Sequence, residues 1–214
     1  MNTKLISTLA IFVVSAVAPV GATQILVDVR LNTTSLASSA AGPFQLDVQL
    51  NDGGDPNNNT ALFSNFTFGG GGPLGVPTLT GGASGSLNSS FMLADTNFLN
   101  EFRQSFNAGS ALRFTLLLTT NVDPSGTPDQ FSLAILDSNG VELPTGSAGT
   151  YGTSVILLAD LVGGMTQLSG FGSDSDAAIA FAAPSVASSV PEPATIGMMA
   201  AGLAIYLLRR PRHT

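Results

Sequence analysis

Acidic and amide side chains supply most of the chemistry available in the middle of this chain. Asp52, Asp55, Asn57 and Asn59 crowd one polar stretch, and hard oxygen donors so close together suit calcium. Asp55-x-Asn57-x-Asn59 begins as an EF-hand loop begins. Thr60 then stands where the sixth-position Gly belongs, and Phe66 where the bidentate Glu belongs, so an EF-hand is rejected. Two readings stay open: a solvated polar loop, or a calcium site of another kind. Asp174-Ser175-Asp176 is a second acidic cluster with the same two readings. Glu101 or Glu142 could join an Asp as a glycosidase pair, but nothing in the spacing selects one.

Other chemistry lacks its residue types. Residues 23–190 hold no His, Cys or Lys. Ser-His-Asp and Cys-His nucleophiles therefore have no base, and the usual zinc ligands are missing. Gly69-Gly70-Gly71-Gly72 is followed by no Lys-Ser/Thr pair and reads as a turn, without a phosphate loop. The expectation is a non-enzymatic protein with no cofactor, calcium being the one ion its ligands suit. The same stretch sets three arginines against thirteen Asp and Glu, a net charge of −10. Such a surface repels nucleic acid and anionic lipid. With no cysteine in the chain, burial and hydrogen bonds must hold the fold.

The elements that must position these residues read as strands. Residues 25–31 put Val27, Val29 and Leu31 on one face. Residues 44–50 put Phe44, Leu46, Val48 and Leu50 inward, with Gln45, Asp47 and Gln49 outward. Residues 60–68 place Leu62, Ser64, Phe66 and Phe68 on one face, with Phe63 and Asn65 on the other. Residues 112–120, 130–137 and 153–160 add strands, and 87–93 another. Asn139-Gly140 reads as a hairpin turn with Val141–Leu143 returning. Residues 95–109 are ambiguous. Phe98, Phe102 and Phe106 fit a helical face capped by Asp95, yet the same stretch also alternates; the reading is a helical turn near 96–100 leading into a strand. The fold class expected is all-β, a jelly-roll-like sandwich of about eight strands over residues 23–182.

Both ends of the chain carry processing signals. Lys4, the apolar run 5–18 and the small residues before Ala22 form a signal peptide over residues 1–22, cleaved by signal peptidase after Ala22. At the other end, residues 183–190 read as a linker. Val190-Pro191-Glu192-Pro193 follows, then the apolar run 196–208, then Arg209, Arg210 and Arg212. The prolines keep the segment before the run extended. The run would make a helix of about 20 Å, short of a hydrocarbon core of roughly 30 Å, and terminal arginines extend its reach by snorkelling. The arginines favour the cytoplasmic side.

Those residues together, in that order, resemble the PEP-CTERM sorting signal of Gram-negative bacteria, here over residues 191–214. The resemblance implies handling by exosortase and a transient stay in the inner membrane as a single-pass precursor. It also implies export to the cell surface or extracellular matrix in association with exopolysaccharide. Pro211 interrupts the basic cluster, a small departure. The alternatives for the cargo domain are a carbohydrate-binding sandwich, set back by the absence of Trp, and a polysaccharide hydrolase.

Overall fold

The computed structural model describes residues 24–54, 57–123 and 126–188. Ala22, Val190, Pro191, Glu192, Pro193, Arg209, Arg210 and Arg212 lie outside them, as do the expected signal peptide and sorting helix. Among the described residues, no helix is long and apolar enough to cross a membrane.

The described chain is all-β. Period-two alternation produces β1 (Gln24–Asn32), β2 (Phe44–Asn51), β3 (Thr60–Thr67), β7 (Leu99–Asn107), β8 (Ala111–Thr119) and β9 (Gln130–Leu136). The nine-residue β4 (Gly72–Thr80) and five shorter strands complete the sheets: β5 (Gly82–Gly85), β6 (Phe91–Ala94), β10 (Leu157–Asp160), β11 (Ser169–Gly170) and β12 (Ser185–Ser188). Two six-stranded antiparallel sheets result, in the orders β12-β1-β8-β3-β6-β5 and β11-β10-β9-β2-β7-β4. Twelve described strands replace the eight expected. The additional ones are short, or are edge strands such as β4 whose Gly, Pro and Thr hide the alternation.

The core lies between the sheets. Val27, Val29, Leu31, Phe44, Leu46, Val48, Leu50, Phe131, Leu133 and Ile135 are all buried, on the faces the alternation assigns. Phenylalanines join the two layers. Phe63 packs on Phe91, Phe114 and Phe131, and Phe91 stacks in turn on Phe102.

Three local expectations are corrected. In β3, Phe63 faces the core although strict alternation opposes it to Phe66. The register shifts between Ser64 and Thr67, and Asn65 takes a left-handed φ of 58°. That bulge re-phases the strand, so Phe63 and Phe66 both reach Phe91 and Phe114. In 95–109, no helical turn forms near 96–100. Phe102 and Phe106 are buried with Asn100 and Gln104, while Phe98 is 79 % exposed, so the two-residue period wins. After Gly140, whose φ is 79°, the return of Val141–Leu143 is reduced to a bridge between Leu136 and Glu142. The segment expected as a linker also contains structure. Ser185–Ser188 pair with β1 and extend the first sheet at its edge.

Candidate functional site

One end of the sandwich collects carboxylates. Asp52 follows β2, Asp95 follows β6, Asp123 lies beyond β8 and Asp129 precedes β9. The β2–β3, β6–β7 and β8–β9 connections each cross from one sheet to the other, so the cluster sits where the layers are joined. One oxygen from each of Asp52, Asp123 and Asp129 lies within 4.8 Å of the other two.

The loops are locked by short-range polar contacts. Asp129 Oδ1 accepts the Gly53 N–H at 2.7 Å, and its Oδ2 accepts from Asn59 Nδ2 at 2.8 Å. Asp52 Oδ1 accepts the Gly54 N–H at 2.7 Å. Asn59 Oδ1 accepts the Asn121 N–H at 2.7 Å, and Asn58 Nδ2 donates to Asp123 Oδ1. Asp95 Oδ2 accepts the backbone N–H groups of Asn58 and Asn59. Gly53 permits this close approach of two loops, since a Cβ there would lie 1.8 Å from Thr127 O.

Electrostatics and satisfaction are both unusual here. Burial, reinforced by the Asp129 carboxyl, raises Asp95 to about 7. Burial also raises Asp123, against the hydrogen bond from Asn58 that lowers it. No arginine of the domain offsets the charge. Arg103 is held by Asp47 and Glu101 at 3.1 and 2.9 Å, and Arg30 and Arg113 face each other across β1 and β8. Asp95 Oδ1, Asp123 Oδ2 and Asn58 Oδ1 are buried and accept no hydrogen bond. Asp95 is 0 % and Asp123 7 % exposed.

Of the ligands expected from sequence, Asp52 is in the cluster. Asn59 supports it from behind, with its amide oxygen committed to Asn121. Asn57 is exposed, its backbone N–H donates to Asp95 O, and its φ is 69°. Asp55 lies outside the described residues. Asp95, Asp123, Asp129 and Asn58 were not anticipated. The available signal was their position at strand ends, since an antiparallel chain returns such ends to one side.

A second polar region covers the open face of the other sheet. Asp47, Gln49, Gln130, Ser132, Glu142 and Thr153 line a shallow cleft of about 110 Å³. Asp47 and Glu101 share one guanidinium nitrogen of Arg103, at 3.1 and 2.9 Å. Glu142 accepts the Ser154 N–H at 2.9 Å. Asp174, Ser175 and Asp176 form an exposed turn bonded within itself.

Residues 189–212 match the PEP-CTERM protein-sorting motif. That motif marks exosortase-targeted export and a membrane-anchored C-terminal sorting signal in Gram-negative bacteria. No curated protein and no solved structure matches the chain.

Proposed function

We propose that this is a non-enzymatic protein of the cell surface or extracellular matrix, cleaved at its C-terminus by exosortase and associated with exopolysaccharide. The observation that carries the proposal is the sorting motif at residues 189–212, directly after β12. The cargo supports it in two ways. Its residue inventory lacks His, Cys and Lys, and its net charge of −10 suits a hydrated, non-adsorbing surface. The N-terminal signal peptide and signal peptidase belong to the same reading. The test is fractionation of cells with and without exosortase, and with and without exopolysaccharide synthesis. The protein should move from the medium or matrix to the inner membrane when exosortase is removed. Unchanged release would refute the proposal.

A second reading is carbohydrate binding on the open sheet face. The polar cleft along β2, β9 and β10 favours it, because planar Gln and Asp side chains suit sugar hydroxyls. The half-exposed Tyr151 flanks the same region beside Asp160 and Gln167. Affinity electrophoresis in the producing cell's own polysaccharide decides it. Retardation lost in Gln130→Ala and Tyr151→Ala supports binding; equal migration of all three proteins excludes it.

A further inference from the structure

We propose that Asp52, Asp123 and Asp129, together with Asn58 Oδ1, bind one calcium ion that ties the two sheets together at the crossover end. Three observations lead to it, and they are independent of the sorting motif.

The first is spacing. Two ligand oxygens of one calcium ion, each 2.3–2.6 Å from it, lie at most about 5 Å apart. The carboxylate oxygens of Asp52, Asp123 and Asp129 are mutually within 4.8 Å. The second is satisfaction. Five buried side-chain polar atoms lack a hydrogen-bond partner among the described residues, and two of them, Asp123 Oδ2 and Asn58 Oδ1, belong to the proposed ligands. Asp123 Oδ1 is occupied by the Asn58 amide, which leaves Asp123 Oδ2 free for another partner. Asn58 turns its Nδ2 toward Asp123, leaving its Oδ1 free as well. A buried oxygen with no donor is costly, and a cation is the partner that serves several such oxygens at once.

The third is charge. Three carboxylates converge, with Asp95 beside Asp129 and no basic residue near them, and their mutual repulsion is relieved only by protons or by a cation. The donor set is entirely oxygen, which selects a hard ion over zinc or copper. Four side-chain oxygens leave two to four positions of a six- to eight-coordinate ion for backbone carbonyls or water. The ion would bridge the β2–β3 and β8–β9 connections, each of which links opposite sheets. A chain without disulfides thereby acquires a cross-link that depends on the surrounding medium. Sites of this type on extracellular modules respond to calcium at roughly 0.1–1 mM, the level met outside a cell.

The test uses the protein purified after export, stripped with EDTA and titrated with CaCl₂ by calorimetry and thermal melting. The wild type should bind one calcium per chain and gain about 5–10 °C in Tm near saturation. Magnesium at the same concentration should give less than half that shift. Asp123→Asn keeps the size of the side chain and an acceptor for Asn58, and it should weaken calcium at least tenfold while still folding in EDTA. Asp129 also holds Gly53 and Asn59, so Asp129→Asn alone would confound binding with folding; Asp52→Asn serves as the second binding variant. Asp176→Asn, in the exposed acidic turn, should bind as the wild type does. A folded wild type with neither heat nor a Tm shift overturns the proposal. So does an equal response of wild type and Asp123→Asn, and an equal effect of magnesium overturns the assignment to calcium.

Discussion

Asp47 lies on the outward side of β2 yet is only 5 % exposed, beneath the side chain of Arg103. Burial lifts its carboxyl from 3.8 to about 6, with Arg103 pulling the other way. Between about pH 4 and pH 6 the folded chain therefore keeps a proton that the unfolded chain has released. Stability attributable to Asp47 falls as pH rises through that window, by up to about 3 kcal/mol. Asp47→Asn should flatten this part of the curve, measured by urea unfolding at pH 4.5 and pH 7 beside the wild type. An unaltered pH slope would contradict the assignment. Gly53 makes a steric prediction: Gly53→Ala drives a Cβ to 1.8 Å from Thr127 O and should cost more than about 2 kcal/mol, with loss of the Asp129 contact. Sequence marked Asp47 as outward and Asp52 as a ligand. It could not mark Asp95, Asp123 or Asp129: Asp123 and Asp129 are near neighbours in sequence, but their other partners come from distant loops and meet them only through strand pairing.

At the scale of elements, alternation was legible wherever both faces differ in polarity, as in β1, β2, β8 and β9. It misled where a backbone irregularity changed its phase. Asn65 at φ 58° inserts the bulge that turns Phe63 and Phe66 to the same core. A β-branched residue resists that conformation, so Asn65→Val should destabilise by about 1–2 kcal/mol and Asn65→Gly should be nearly neutral. Thermal melts of both variants check it, and equal melting points would remove the bulge from the account. Phe91 stacks at 3.7 Å on Phe102 and at 4.4 Å on Phe63, and it is 1 % exposed. Phe91→Ala should cost about 3–5 kcal/mol in denaturant unfolding. The four-residue spacing of Phe98, Phe102 and Phe106 suggested a helix because sequence alone does not say which aromatic is in solvent. Partnership with β2 and β4 decides in favour of the strand. Edge strands β4 and β5 escaped notice since Gly, Pro and Thr write no hydrophobic pattern.

The whole molecule is an acidic sandwich followed by a sorting motif. Its sorting motif begins at residue 189, immediately after β12 closes on β1. Without β12, β1 would present an unpaired edge to other chains. A chain ending at Pro184 should therefore melt lower than one ending at Ser188 and self-associate more in analytical ultracentrifugation; identical behaviour would make β12 a passive tether. The class of the fold was legible because short apolar runs, polar turns and the absence of cysteine leave few other architectures. The sorting motif was legible because it is local in sequence, whereas the acidic cluster needs three dimensions to assemble. The central claim is that this chain is an exosortase substrate, and mass spectrometry of its mature C-terminus tests that most directly. The exported protein should end at or near Val190-Pro191-Glu192-Pro193 in cells with exosortase, and should retain Arg209, Arg210 and Arg212 in cells without it. A tail that remains intact through Thr214 in cells with exosortase would contradict the account.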